Sequence, residues 1–144
     1  MKLATIGYEA QTQAAVIDKL VAAKVKTLID VRAIAASRRA GFSKTILAAS
    51  LKDAGIAYVH LRALGTPKAG RDAAHKGRTA EMEAIYEAYL ADEPKAQTEL
   101  AAAADIAKAG KSALFCFEAE ACKCHRHIIA ERLHKALGLV VEDL

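Results

Sequence analysis

No apolar run in the sequence approaches the roughly 20 residues needed to cross a bilayer, which argues against a membrane partner. The N-terminus, Met1-Lys2-Leu3-Ala4-Thr5-Ile6-Gly7-Tyr8-Glu9, starts like a strand and reaches an acid at Glu9. It is too short in apolar residues for a secretory signal, so the cytoplasm is the expected compartment. Cysteine is scarce and odd in number, with three residues at Cys116, Cys122 and Cys124. One residue separates Cys122 from Cys124, which would strain a bond between them. Thiols that are free, metal-bound or redox-active in a reducing compartment are the simpler reading. Internal repeats, low-complexity tails and linkers are missing, and 144 residues suit one α/β domain over residues 1–144. Acids are nearly absent from one long stretch. Between Arg32 and Arg78, ten basic residues face only Asp53 and Asp72, giving +8 there and −4 elsewhere within a total of +4. Such a basic half suits either an anionic ligand or a solvated surface.

What the chain does contain is an alternation of strands and helices. Its 53% hydrophobic content, much of it alanine, supports a closely packed core. Leu3–Ile6 reads as a strand ending at Gly7. Thr12 suits the N-cap of a helix to about Lys24, with Val16, Ile17, Leu20 and Val21 on one face. Lys26–Val31 is a second strand. Ser43 suits the cap of a helix containing Ile46, Leu47 and Leu51, with Gly55 at its end. Ile56–Leu61 is a third strand, and Arg62–Thr79 is a basic connection with Gly65, Pro67, Gly70 and Gly77, long enough to be functional or mobile. Thr79 suits the cap of a helix packing through Met82, Ile85, Tyr86 and Tyr89. Pro94 opens an alanine-rich helix ending near Gly110, Ser112–Phe117 is a fourth strand, and His125–Leu137 is a last helix closed by Gly138. Leu139–Val141 is the final strand. This order predicts a three-layer α/β/α fold with a mainly parallel sheet of about five strands.

Polar groups collect at four strand ends, which a parallel sheet would bring to one edge. These are Gly7-Tyr8-Glu9, Asp30-Val31-Arg32 running on to Ser37-Arg38-Arg39, His60 with Arg62, and the Cys116–Arg126 loop. That loop holds all three cysteines, Glu118, Glu120, His125 and Arg126. Arg126 sits where a helix begins, and a cation there asks for an anion, whether Glu118 or Glu120 or a bound ligand. The same potential would favour a thiolate at Cys124 or Cys122, with His125 as general acid or base. Cys116, inside an apolar strand, reads equally as a small core residue. Asp30 could orient a catalytic group, pair with an arginine or accept bonds from its loop; His60 could face the edge or the core. Arg38 and Arg39 suit phosphate by charge and geometry. Cys116, Cys122, Cys124, His125 and His127 are enough soft ligands for zinc, but one compact cluster departs from the two separated pairs of structural sites.

Five spaced motifs carry a family resemblance. They are Thr5-Ile6-Gly7-Tyr8, Leu28-Ile29-Asp30-Val31-Arg32 with Ser37-Arg38-Arg39 and Phe42-Ser43-Lys44, Gly55–Leu61 with Leu64-Gly65, Cys116-Phe117-Glu118, and Cys124-His125-Arg126. Together they resemble the domain-of-unknown-function family 488, a compact α/β domain without an assigned activity. The resemblance implies that the family's recurring polar positions fall on Gly7, Asp30, Arg32, Ser37, Arg38, His60, Cys116, Glu118, Cys124, His125 and Arg126. Two departures matter. Tyr8-Glu9 stands where the family usually has His followed by Ser or Thr, which removes a candidate base. Ile34-Ala35-Ala36 stands where it often has a proline. Leu28–Arg32 also looks like a rhodanese strand. Ten steps from Cys116 to Arg126 are too many for a rhodanese or Cys-x5-Arg loop, and Cys124 to Arg126 is too short.

The expected function is therefore a pocket for a small anionic, phosphate-bearing or nucleotide-like ligand, with an enzyme using a Cys/His pair as its active form. In it Cys124, His125, Cys116 and Asp30 are the catalytic candidates and Arg32, Ser37, Arg38 and Arg126 the anion contacts, with Gly7, Tyr8, His60 and Glu118 completing the wall. The alternatives are a nucleic-acid-binding module using the basic residues 32–78, and a zinc-stabilised interaction domain.

Overall fold

In a computed structural model that describes residues 1–144, five strands form one sheet: β1 (Lys2–Gly7), β2 (Thr27–Asp30), β3 (Ala57–His60), β4 (Ser112–Cys116) and β5 (Val140–Asp143). Their order is β3-β2-β4-β1-β5 and every pairing is parallel. Six helices connect them: α1 (Gln13–Ala22), α2 (Lys44–Asp53), α3 (Lys68–His75), α4 (Thr79–Asp92), α5 (Pro94–Ala109) and α6 (Arg126–Leu137).

The period-2 alternation of the strands divides the core into two layers. Ala4, Ile6, Leu28, Ala113 and Phe115 face α1 and α2, meeting Val16, Leu20, Leu47 and Leu51. Leu3, Ile29, Leu114 and Cys116 face the other way, against Met82, Tyr86 and Leu90 of α4, Ala96, Ala103 and Ala107 of α5, and Ile128, Ile129 and Leu133 of α6. Alanine on the buried stripe of α5 lets that helix approach closely. The fold is the three-layer α/β/α arrangement the alternation predicts, and no helix is long and apolar enough to cross a membrane.

Several local expectations hold. Thr12 caps α1, its hydroxyl accepting from Ala15 N at 3.1 Å. Thr12→Ala should therefore cost about 1 kcal/mol, read as a lower urea midpoint at unchanged slope. Gly55 and Gly138 follow α2 and α6 at positive φ, 77° and 70°. Others are corrected. Ser43 sits at the N-terminus of α2 without capping it, because its hydroxyl pairs with the Ser37 backbone: it accepts from Ser37 N at 3.1 Å and donates to Ser37 O at 3.2 Å. Thr79 is the first residue of α4, with Arg78 in the cap position. Ile46 and Val21 turn to solvent, and Ile17, Ile85 and Tyr89 are half-buried. The long Arg62–Thr79 connection contains a 3-10 turn, Arg62–Leu64, and the helix α3. That helix buries only Gly70 and Ala73 of its own residues and packs on α4, so tertiary contact rather than a local apolar stripe sustains it.

The topology opens the carboxyl edge of the sheet. β1 and β4 are neighbours, yet the chain leaves β1 for α1 on one face and β4 for α6 on the other. Connections diverging from adjacent parallel strands leave a crevice between them.

Candidate functional site

Backbone bonds close the floor of this crevice. The pairing of β1 with β4 ends at Gly7 opposite Cys116. Beyond it the Phe117 carbonyl accepts from both Tyr8 N (3.1 Å) and Glu9 N (2.8 Å). Gly7 is needed because the Glu118 carbonyl oxygen would lie 1.9 Å from a β-carbon there.

Beside this floor lies a buried ion pair. The Asp30 carboxylate, fully buried at the end of β2, accepts from Arg32 Nε at 2.9 Å and Arg32 Nη2 at 2.8 Å, and from Arg32 N at 3.1 Å. Tyr58 OH donates to the same carboxylate at 2.5 Å. The remaining Arg32 amino group, Nη1, donates to Phe42 O at 2.8 Å and reaches Tyr8 OH at 3.4 Å. The Tyr8 and Phe115 rings cover the guanidinium at 5.4 and 5.0 Å. Burial opposes this charge and Asp30 more than offsets the penalty, so Arg32 is held firmly protonated. Burial, then the bond to Asp30, likewise keeps Tyr58 protonated. Tyr8 itself is stacked between Phe42 and Phe115, at 4.5 and 5.1 Å. Where a histidine would offer a base, this chain places an aromatic lid on its own ion pair.

Three reactive side chains converge at the pocket floor. His125 Nε2 lies 2.7 Å from the Val31 carbonyl. A carbonyl only accepts, so in the neutral ring Nε2 carries the proton and Nδ1 is left with a lone pair. That lone pair faces two thiols, Cys124 Sγ at 3.6 Å and Cys116 Sγ at 3.9 Å. All three residues are buried, and the Tyr86 ring packs edge-on against the imidazole at 5.1 Å. Burial first, then the neighbouring Cys116, pushes the Cys124 thiol well above its ordinary pKa. Burial opposes charge on His125, but the Cys124 sulfur, by charge and by hydrogen bonding, and then the Val31 carbonyl more than offset it, so the imidazole pKa is raised above its ordinary value. Cys124 therefore rests as the thiol. A free thiolate at Cys124, expected from a positive helix start, is not the form this environment favours.

Above the cluster is a pocket of about 110 Å³. Tyr8, Arg32, Cys116, Glu118, Cys124 and His125 line it. From the second half of the wall come Thr66, Arg71, Ala74, His75 and Met82. Thr66 Oγ1 is buried there without a partner. Arg71 Nη1 donates to Thr66 O at 2.9 Å, and its other guanidinium N–H groups have no protein acceptor.

Other candidates from the sequence stand apart from the pocket. His60 Nε2 bonds the Arg32 carbonyl at 2.8 Å and supports the turn from behind. Ser37 is occupied with Ser43, and Arg38 is exposed without a side-chain bond. Arg39 donates to the carbonyls of Tyr8 and Gln11. Arg126 is fully buried and spends its amino groups on the carbonyls of Glu118 (2.5 Å) and Ala119 (3.3 Å), leaving Nε without an acceptor. Cys122 is exposed, and His127 pairs with Glu131 at 3.6 Å. The sequence reading took Met82 only as a core contact of its helix, and it missed Thr66, Arg71 and His75 as pocket residues. Only the basic, glycine-bearing Arg62–Thr79 run pointed toward them.

Fold and floor together define a parallel α/β domain with a Cys/Cys/His cluster at the strand carboxyl ends. The family model described as "Domain of unknown function DUF488" matches residues 12–133, most of the chain, and the protein belongs to that family. No curated protein and no solved structure matches it.

Proposed function

We propose that this domain is an enzyme for a small anionic, phosphate-bearing or nucleotide-like substrate, with the Cys116–Cys124–His125 cluster as its reactive end. One observation carries the reading: a small pocket at the strand ends closes on a histidine whose tautomer is fixed by the Val31 carbonyl and whose free nitrogen faces two thiols. The anion contact falls on Arg71, with His75 beside it at the rim. Arg71 has donors to spare, whereas those of Arg32 face Asp30, Phe42 and Tyr8, and the Arg126 amino groups face the loop. Tyr8 and Glu118 shape the opposite wall. Free thiols of this kind persist in a reducing compartment, in keeping with the cytoplasm.

The test is a backbone-amide NMR titration of the metal-free, reduced protein with inorganic phosphate and nucleoside monophosphates. Saturable shifts are expected at Tyr8, Arg71, Cys116 and His125. Arg71→Ala should weaken binding about tenfold or more, the loss of one hydrogen bond to a charged group. Saturation elsewhere on the surface, or equal affinity in Arg71→Ala, would overturn the reading.

A further inference from the structure

We propose that Cys116 Sγ, Cys124 Sγ and His125 Nδ1 bind one zinc-type divalent ion, with a fourth coordination position open to the pocket. The inference rests on the enzyme reading above and gives its reactive end a definite chemistry.

Geometry supports it first. The three ligand atoms lie within 4.8 Å of one another, in buried residues. A tetrahedral ion with Zn–S of about 2.3 Å and Zn–N of about 2.0–2.1 Å places sulfur and nitrogen about 3.6 Å apart. The two sulfur–nitrogen distances are 3.6 and 3.9 Å. The sulfur–nitrogen distances thus match an ion to within a few tenths of an ångström, and the two sulfurs, within 4.8 Å of each other, would close by up to about 1 Å to the ~3.8 Å that the same Zn–S length sets.

The second observation concerns His125. Metal-ligating histidines almost always donate their other ring N–H to a carbonyl or carboxylate, which fixes the ring and its tautomer. Val31 O fills that role at 2.7 Å, leaving Nδ1 for the ion. The donor set is soft, two sulfurs and one imidazole, so it selects zinc-like ions over magnesium or calcium.

The third is the empty fourth direction. A closed structural site needs four protein ligands. Cys122 is exposed, His127 pairs with Glu131, and no other His, Cys, Asp or Glu joins the cluster. Cys116, Cys124 and His125 all line the pocket. Three protein ligands with one open position is the arrangement of catalytic zinc, where water or a substrate oxygen takes the remaining place. The irregular sequence spacing has a structural cause: β4 supplies one sulfur, and the turn into α6 supplies the other sulfur together with the imidazole.

The experiment titrates Co²⁺ into reduced, chelator-stripped wild-type protein. Saturation at one equivalent is expected, with a sulfur-to-cobalt charge-transfer band and intense visible bands of tetrahedral cobalt, and one equivalent of Zn²⁺ should abolish both. Cys122→Ser should bind as wild type. Loss of an outer partner of a metal ligand already costs 10–100-fold, so Cys116→Ser, Cys124→Ser and His125→Asn should each weaken binding by at least about 100-fold. No saturable band in the folded wild type would overturn the proposal, as would a band lost in Cys122→Ser and kept in Cys124→Ser. The phosphate titration uses metal-free protein. Metal binding that fails while phosphate still shifts Arg71 removes this inference alone, and the converse removes the anion reading alone.

Discussion

Arg32→Ala is expected to destabilise the protein by about 3–5 kcal/mol, the usual cost of breaking a buried ion pair from one side. Asp30 is fully buried and has four donors: two guanidinium nitrogens, Arg32 N and Tyr58 OH. Truncation removes the only cation and leaves a carboxylate that cannot be rehydrated without opening the sheet. It also uncovers the Tyr8 and Phe115 rings and strips a donor from Phe42 O. Urea unfolding should show a large fall in midpoint. Asp30→Ala should behave similarly, since it leaves a guanidinium buried. The double variant Asp30→Ala/Arg32→Ala should lose clearly less than the sum of the two, because neither charge remains. Additive losses would mean that packing, not charge pairing, dominates. The site should respond as well. Arg32 follows Val31, whose carbonyl orients His125, and the Arg32 carbonyl holds His60. The ion pair thus fixes the turn on which the imidazole depends.

That dependence bears on how much of the protein could be read from its sequence. The sheet was legible because its strands are short apolar runs at βα spacing, and β1 to β5 lie where Leu3–Ile6, Lys26–Val31, Ile56–Leu61, Ser112–Phe117 and Leu139–Val141 predicted, within a residue or two at most ends. The helix α3 was not legible. Eight residues, Lys68 to His75, with two small buried positions give no periodic apolar signal, and the helix exists because α4 is beside it. The site divides in the same way. The convergence on one sheet edge followed from parallel topology, so Tyr8, Arg32, Cys116, Glu118, Cys124 and His125 could be named in advance. What charge alone could not say is which cations the protein keeps for itself. Arg32 and Arg126 look identical to Arg71 in a sequence. Only the backbone carbonyls of Phe42, Glu118 and Ala119 and the buried Asp30 distinguish them. A helix-start arginine asked for a negative partner, and carbonyl oxygens answered where a carboxylate or a ligand had been expected. Cys116 shows a further limit. In an apolar strand it has the pattern of a core residue, and its meeting with Cys124 and His125 arises from the chain turning back at α6.

Gly7→Ala tests the joint between sheet and cluster. A β-carbon at Gly7 would sit 1.9 Å from the Glu118 oxygen and 2.6 Å from its carbonyl carbon, and both are backbone atoms that no rotamer change can move. The strands cannot simply separate, because Tyr8 N and Glu9 N both bond the Phe117 carbonyl one residue away. Overpacking of this kind costs about 1–3 kcal/mol and occasionally more. With backbone on both sides of the clash, a loss toward the upper end is expected in urea unfolding. Gly110→Ala is the control: its φ of 179° suits any residue, and a β-carbon there would meet nothing closer than Lys26 at 3.9 Å, so little change is expected. The more telling consequence is local. The oxygen displaced by the new methyl is the acceptor for Arg126 Nη1, and Arg126 opens α6 immediately after His125. Moving Glu118 therefore shifts the residue that ties the loop to the helix, and with it the distance from His125 Nδ1 to the two sulfurs. Cobalt affinity should fall in Gly7→Ala even in urea-free buffer where the variant is fully folded by circular dichroism. Unchanged affinity in a folded Gly7→Ala would show that the loop relaxes around the methyl without disturbing the cluster, and that Gly7 serves the sheet alone.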